Sequence, residues 1–355
     1  MPHSGDTLFL AATPLHTFFS LGLMYGPMRE GRRTLFLINR ESDEFDPLGQ
    51  ALAGAGWPGV EVAEFKAMQG RFSARRSLNE LTARVRALAP AAIAIGNDHR
   101  LEFYAAIRGA PDARRIYIDD GLYSYLPHRY AKSSWRQGLS NWRRSLKYGL
   151  TIERPAFVGG SKAVQSAYVL LPNQVHAGLR AKPLQAFSPA WFAEPAVQQV
   201  CMEAAGIAGF DAHRCEALGL LVLLPHQRFI ETKPELRQQL TSLVLQRLAC
   251  GQTVALKSHP RAKRPAHELL GVRSDAVVEV PAKLPAEVLA PLLRRTQVVG
   301  ALTTSLLSLS VLGRATRVFR LPDSNDSLNE LELGARRVYD AAGVKVFGAD
   351  PTDQQ

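Results

Sequence analysis

Short apolar runs alternate with amphipathic stretches along most of the chain. Runs of this length, rich in Val, Leu and Ile, are typical of buried strands. In the first half they predict strands at 7–12, 34–38, 60–65, 92–95, 115–118, 157–158 and 168–171. Apolar residues spaced three or four apart predict the helices between them, at 15–29, 47–55, 73–88 and 100–107.

The second half repeats this alternation after a proline-rich connection at 171–195. Its predicted strands are 218–224, 253–256, 277–280, 297–300 and 317–320, and its predicted helices are 233–250, 285–294, 305–312 and 327–341. Apolar strands joined by crossover helices are typical of parallel α/β sheets. The pattern therefore predicts two Rossmann-like, doubly wound domains, 1–185 and 200–345, that face each other across a cleft.

Length and composition agree with this architecture. The chain has 355 residues, of which 46% are hydrophobic and 21% charged, as in a two-domain globular protein. No apolar run reaches the roughly 18 residues of a membrane span, and the sequence does not start with the basic region of a signal peptide. Three cysteines without CxxC spacing add no metal motif. We expect a cytoplasmic protein with reduced thiols.

A net charge of +11 favours anionic partners. One stretch, 129–148, interleaves basic residues with aromatic ones: Arg129, Lys132, Arg136, Arg143, Arg144 and Lys147 with Tyr130, Trp135, Trp142 and Tyr148. It fits a helix that lies on an anionic membrane, peripheral on the inner membrane. It fits equally an ordinary surface helix that uses Trp135 and Trp142 as core anchors. No nucleic-acid motif is recognised, so nucleic acid is not expected as a partner.

In the first half, Asp119, Asp120 and Gly121 directly follow a predicted strand. A carboxylate at a strand end beside apolar walls can have a raised pKa and act as a general base. The alternative is an ordinary turn in which an aspartate caps a helix and glycine permits the tight bend.

In the second half, Lys257, Ser258, His259 and Pro260 follow another predicted strand. A cation, a hydroxyl and an imidazole suit a phosphate, with His259 as hydrogen-bond or proton donor. The alternative is a loop histidine with ordinary hydrogen-bond partners.

Two further clusters follow strands of the second half. Thr303, Thr304 and Ser305 precede a predicted helix, so they suit either an anion site or simple N-capping. Glu287 lies in the first turn of a predicted helix, where a carboxylate is favoured in any case. It could also bind the two hydroxyls of a ribose.

The order of these motifs resembles the bacterial GT-B sialyltransferases and polysialyltransferases of capsule and lipooligosaccharide. The matching stretches are Asp-Asp-Gly at 119–121, Lys-x-His-Pro at 257–260 and the hydroxyl pair Thr304-Ser305, with Ala-Thr-Pro-Leu at 12–15 and Gly-Asn-Asp at 96–98. The resemblance is spread over residues 8–310. It implies transfer of sialic acid from CMP-sialic acid to a glycan or lipid-linked glycan.

The resemblance also implies roles for individual residues. Asp119 would be the general base, and Asp120 would orient the loop or the acceptor. His259 would meet the CMP phosphate, with Pro260 against the nucleotide. The remaining donor-binding residues would be Lys257, Glu287, Thr303, Thr304 and Ser305, and weaker substrate contacts are expected at Thr13, Asn97 and Gly121.

Such a site needs no metal and no cofactor, because the CMP-sugar is a co-substrate and protein groups can meet the charge of one phosphate. The nearest acidic stretch, Asp43-Glu44-Phe45-Asp46, lacks DxD spacing. Two alternatives stay open. One keeps the fold and uses CMP-Kdo or another nucleotide sugar. The other is a non-catalytic basic module that binds anionic polysaccharide or membrane.

Overall fold

In a computed structural model, the chain forms two compact α/β units, residues 1–197 and 198–355. The structure describes residues 5–39, 46–66, 71–126, 135–153, 155–301, 303–313, 317–322 and 330–348. Of the acidic stretch at 43–46, only Asp46 lies among them. There it caps a helix through the backbone N–H groups of Leu48 and Gly49.

Unit 1 is built on a seven-stranded, all-parallel sheet. Its strands are β1 Thr7–Ala11, β2 Arg33–Asn39, β3 Val60–Lys66, β4 Ala92–Ile95, β5 Arg114–Ile118, β6 Ser166–Val169 and β7 Leu184–Ala186. They lie in the order β3-β2-β1-β4-β5-β6-β7. Its helices are α1 Pro14–Tyr25, α2 Pro47–Gly54, α3 Arg71–Leu88, α4 Leu101–Gly109, α5 Trp135–Tyr148, α6 Ala177–Arg180 and α7 Pro189–Phe192.

Unit 2 repeats the plan with six parallel strands. They are β8 Leu218–Leu223, β9 Thr253–Lys257, β10 Val278–Val280, β11 Gln297–Gly300, β12 Arg317–Arg320 and β13 Lys345–Val346, in the order β10-β9-β8-β11-β12-β13. The helices are α8 Pro195–Ile207, α9 Gln227–Thr232, α10 Pro234–Ala249, α11 Ala266–Leu270, α12 Thr304–Leu312 and α13 Glu330–Ala341. The boundary between the units falls within α8.

Both sheets are doubly wound, so the predicted fold of two Rossmann-like domains is confirmed. The strands of each sheet run parallel and are largely buried, which explains why the sequence shows them as near-continuous apolar runs. Among the described residues, no helix has both the length and the apolar composition that crossing a bilayer requires.

Two predicted elements are wrong. The run at 157–158 is not a strand, because the chain turns there and the N–H groups of Gly159 and Ser161 bind the Asp98 carboxylate instead of a neighbouring strand. The predicted helix 285–294 is a 3-10 turn over Ala286–Leu289. Pro291 lacks the N–H that a longer helix would need.

The connection at 171–195 contains structure that the pattern missed. The three-residue β7 adds an edge strand, and α7 packs against α1 through stacked rings. Phe18 lies 4.7 Å from Phe192 and Phe19 lies 4.7 Å from Phe187, measured between ring centroids. This aromatic layer fixes α1, which carries one of the site residues described below.

Candidate functional site

The strand order places the polar clusters. In each sheet the order reverses between two neighbouring strands, β1 and β4 in unit 1 and β8 and β11 in unit 2. In open α/β sheets, ligands bind beside this switch point, at the carboxyl ends of the strands. Polar residues follow these strands and the strands next to them in the sheet. They form one cluster in each unit.

Asp119, which follows β5, is fully buried (0% exposed). Its Oδ1 accepts a hydrogen bond from the Ser124 hydroxyl at 2.6 Å, and its Oδ2 accepts from the Tyr125 hydroxyl and, at 2.8 Å, from the Leu170 N–H. Burial raises the pKa of Asp119 to about 6, against the lowering effect of these donors. The carboxylate therefore fastens the turn after β5 to the end of β6.

Asp120 has different surroundings. Its side chain is 12% exposed, and its Oδ1 lies 2.8 Å from His16 Nε2. Its Oδ2 accepts from Asn97 Nδ2 at 3.0 Å, while Asn97 Oδ1 accepts the N–H of His99 and so orients the amide. Each Asp120 oxygen keeps a second lone pair. Of the two adjacent carboxylates, Asp120 is therefore the one that an external hydroxyl can reach.

His16 is buried in the first turn of α1. Its Nδ1 accepts the N–H of Ala12 at 3.4 Å, so the hydrogen-bond pattern assigns the ring proton to Nε2, which faces Asp120. Gly96 makes room for the ring, because a Cβ at that position would lie 2.2 Å from His16 Cδ2. The imidazole is thus held in one orientation against the carboxylate.

Two of the weaker predicted contacts have structural roles in unit 1. The Thr13 hydroxyl caps α1 by accepting the His16 N–H at 3.2 Å. Gly121 is buried and has a φ of 66°, in the left-handed region that glycine adopts at little cost. Asp98, from the Gly-Asn-Asp stretch, is buried and binds the N–H groups of Gly159 and Ser161 at 2.8 and 2.7 Å.

In unit 2, Lys257 and Glu287 are turned inward. Lys257 Nζ donates to the carbonyls of Ser258 and Ala282 at 2.8 and 2.9 Å. Burial lowers the pKa of Lys257 to about 8, although the charge of Glu287 opposes the shift. Glu287 Oε1 accepts from the Ser308 hydroxyl at 2.8 Å. These contacts tie the loops after β9 and β10 to α12, and both side chains are buried. Their role in binding the donor stays a prediction.

His259 remains available. It is half-buried after β9, and its Nδ1 accepts the N–H of Arg261 at 3.1 Å, which leaves the proton on Nε2. Burial, followed by the charges of His226, Arg261 and Lys257, lowers the pKa of His259 below its ordinary value. The imidazole is therefore mostly neutral at pH 7 and acts as an N–H donor. Pro260 beside it is exposed.

His226, which follows β8, was not among the predicted site residues. Its ring centroid lies 5.1 Å from that of His259, at an interplanar angle of 61°. Its Nδ1 accepts the N–H of Arg228 at 3.2 Å, so its Nε2 is also a donor. The two rings form an imidazole pair after adjacent strands.

The hydroxyl cluster lies at the start of α12. Thr303 is the N-cap residue, and Thr304 and Ser305 begin the helix, all three partly exposed. The Tyr339 hydroxyl from α13 donates to the Thr303 carbonyl and accepts its N–H, both at 2.9 Å. These two hydrogen bonds hold the backbone in place at the start of α12. The first N–H groups of the helix have no intrahelical acceptor, so they suit an anion.

His16 and His226 carried weak signals in the sequence. His16 stands in an apolar helical stretch, and His226 follows Pro225 at the end of a predicted strand. The position of His226 after a strand is a signal that could have identified it, whereas the signal at His16 does not distinguish it from a histidine in the core. Among the residues that the structure describes, no three His, Cys, Asp or Glu side chains cluster as metal ligands would.

No protein-family model matches the chain, and no curated protein matches its sequence. Solved structures do match. One is an α/β-galactoside α-2,3-sialyltransferase from the luminous marine bacterium Photobacterium phosphoreum, with a TM-score of 0.57, 13% identity and coverage of 96% of this chain and 98% of that one. Another is UDP-GlcNAc 2-epimerase from Neisseria meningitidis, with a TM-score of 0.52, 13% identity and coverage of 98% and 89%. At these identities the likeness concerns the fold alone, which is the GT-B fold.

Proposed function

We propose that this protein is an inverting, metal-independent glycosyltransferase that moves sialic acid from CMP-sialic acid to a hydroxyl of a cell-surface glycan. The observation that carries the proposal is Asp120, a partly exposed carboxylate held between His16 and Asn97 at the switch point of unit 1. A carboxylate in this position can take a proton from an acceptor hydroxyl.

Unit 1 supplies the base in this proposal. The Asp120 carboxylate accepts the proton of the acceptor hydroxyl while that oxygen attacks the anomeric carbon of the sugar. His16 Nε2–H and the Asn97 amide hold the carboxylate in place. We assign the role of base to Asp120 and not to Asp119, the predicted residue, because Asp119 is fully buried and accepts three internal hydrogen bonds. Asp120 accepts two and is partly exposed.

Unit 2 supplies the donor site. As the bond between the anomeric carbon and the phosphate oxygen breaks, that oxygen gains negative charge. His259 Nε2–H would donate a hydrogen bond to this oxygen, and His226 lies beside His259. The first N–H groups of α12 would bind the phosphate. Ser258 supports this assignment. Its buried hydroxyl (4% exposed), at the end of β9, has no hydrogen-bond partner within the described ranges.

The order of the motifs supports sialic acid rather than another sugar. Asp-Asp-Gly, Lys-x-His-Pro and the Thr-Ser pair follow one another as in the sialyltransferases that the sequence resembles. The GT-B fold by itself is shared by enzymes that use other nucleotide sugars. The donor is therefore the first property to test.

Thermal unfolding of the purified protein with CMP, CDP, UDP or GDP tests the nucleotide. A ligand that binds only the folded state raises the unfolding midpoint. We expect CMP to raise it, and UDP and GDP to leave it unchanged. A shift with UDP or GDP in place of CMP would contradict the sialyltransferase assignment and favour a different nucleotide sugar.

Release of CMP from the donor then separates the remaining alternatives. We expect faster CMP release from CMP-sialic acid than from CMP-Kdo, increased further by a sialic acid acceptor glycan. The reverse preference would identify a CMP-Kdo enzyme. Absence of both a CMP shift and CMP release would favour a non-catalytic binding module.

A further inference from the structure

Helix α5 carries an exposed apolar ridge. Leu139, Trp142 and Leu146 are 38%, 59% and 61% exposed. Their spacing of three and four residues places them on one face of the helix. Trp142 is therefore not a core anchor, which was one of the two interpretations of this segment. The side chains at 129–136 lie outside the described part of the chain.

Helix α5 is attached to unit 1 and to the segment that follows it. The Ser145 hydroxyl accepts the N–H of Ile152 at 3.0 Å, and the helix packs against α3. In this position of the helix the ridge is exposed to solvent. A helix of its 14 residues is about 21 Å long, enough to lie flat along a surface.

Cations border the ridge on the same helix. Arg143 and Lys147 are exposed, and both lie within about a quarter turn of Leu139 around the helix axis. Arg144 is partly exposed nearer the body of the unit. Among the described residues, none of these three cations lies within ion-pair distance of a carboxylate.

More cations meet the carboxyl end of α5. Arg108 donates to the Gly149 carbonyl at 2.7 Å, and the Arg75 guanidinium lies 3.5 Å from where a Cβ on Gly149 would be. The pKa of Arg108 is lowered, first by burial and then by the charges of Arg86 and Arg75. Positive charge is therefore concentrated around the carboxyl end of α5. Phe72, at the start of α3, is a further exposed aromatic side chain (83%).

We propose that the ridge of Leu139, Trp142 and Leu146, with its flanking Arg143 and Lys147, docks unit 1 on the surface of an anionic lipid bilayer. The charges select anionic headgroups, and the apolar side chains enter the boundary between headgroups and acyl chains, where tryptophan is favoured. A hydrophilic polyanion would satisfy the cations but would leave Leu139 and Leu146 in water. The apolar ridge therefore favours lipid.

Co-sedimentation of the full chain with vesicles tests the proposal. We expect binding to vesicles of phosphatidylcholine mixed with phosphatidylglycerol that is at least about tenfold tighter than binding to phosphatidylcholine alone. Leu146→Ser should weaken it about tenfold, and Trp142→Ser combined with Leu146→Ser should abolish it. Leu245→Ser, which changes a leucine of similar exposure (53%) on α10 of unit 2, should have no effect.

A second pair of variants separates charge from apolar contact. Arg143→Gln with Lys147→Gln should remove the preference for anionic vesicles. Unfolding midpoints, measured alongside, should match the wild type for every variant, because the changed side chains are exposed. Unchanged binding of the Trp142 and Leu146 double variant would overturn the proposal. So would equally tight binding of the wild type and that variant to heparin, since the surface would then be a polyanion site.

Discussion

The sheets of unit 1 and unit 2 have the same order around the switch point, with strands 3-2-1-4-5-6 of each unit side by side. The polar groups after these strands differ in kind. Unit 1 presents a carboxylate, Asp120, and unit 2 presents two imidazoles, His226 and His259, with a helix N-terminus. One backbone plan thus offers a proton acceptor in one unit and proton or hydrogen-bond donors in the other.

The comparison also separates side chains that a substrate can reach from side chains that stabilise the fold. In each unit the charged residue nearest the strand is buried and bound internally, Asp119 in unit 1 and Lys257 in unit 2. The residue one or two positions later, Asp120 or His259, is partly exposed. In both units the proposed functional side chain therefore lies two residues beyond the end of its strand.

Asp120→Asn should give the largest effect. It removes the proposed base and leaves a side chain of the same shape, so we expect transfer to fall about a thousandfold while CMP still raises the unfolding midpoint. Asp119→Asn is the matched control. It should lower the midpoint, because an amide cannot accept all three of the internal hydrogen bonds, yet keep activity within about tenfold in the folded fraction. If the two variants exchange these effects, the base is Asp119.

Substitutions in the imidazole pair should give the next largest effect. His259→Ala should slow transfer about a hundredfold and weaken CMP binding, and His226→Ala should slow it about tenfold. His213→Ala, at an exposed position of unit 2, should change neither. Initial rates and titration with CMP measure the outcome. Transfer at the wild-type rate in His259→Ala would mean that His259 does not donate a hydrogen bond or a proton during the reaction.

Gly96→Ala should act through His16. The new Cβ would lie 2.2 Å from the imidazole, so the ring must move away from Asp120. We expect kcat to fall about tenfold with little change in the KM for the donor. Gly206→Ala on α8, where a Cβ would meet nothing within 4 Å, should leave kcat unchanged. A normal kcat in Gly96→Ala would mean that His16 does not position the base.

The smallest effect concerns pH. Burial raises the pKa of Asp98 to about 6, so its contribution to the free energy of unfolding is greatest below pH 4 and declines as the pH rises through 6. Between pH 5 and pH 7.5, ionisation of this carboxyl should lower the free energy of unfolding of unit 1 by about 1 kcal/mol. Urea unfolding of Asp98→Asn should show a shallower pH dependence by that amount. An identical slope would mean that Asp98 titrates normally.

The sequence predicted most of the long elements because their signals are local. A buried parallel strand such as β8 is apolar throughout, and its run ends where the strand ends. The three-residue β7 is too short to leave a pattern, and its pairing with β6 depends on tertiary contact. Pro291 was visible in the sequence and should have limited the helix predicted at 285–294.

The candidate site was predictable only in part. Asp119 and Asp120 stand side by side, and no local signal says which one is buried. The answer depends on Tyr125 and Leu170, which surround Asp119 in the folded unit. Likewise His16 meets Asp120 across 104 positions of sequence. The ends of strands can be located from periodicity. Which side chain is buried there depends on long-range packing.

The Tyr339 hydroxyl sets an order of events during synthesis of the chain. It clasps the backbone of Thr303, which leaves the ribosome 36 residues earlier. Because a long-range contact forms only when both partners are present, the start of α12 is fixed only after α13 has been made and has docked. The proposed donor site is thus completed only after Tyr339 has been synthesised, when the base cluster of unit 1 already has all its partners.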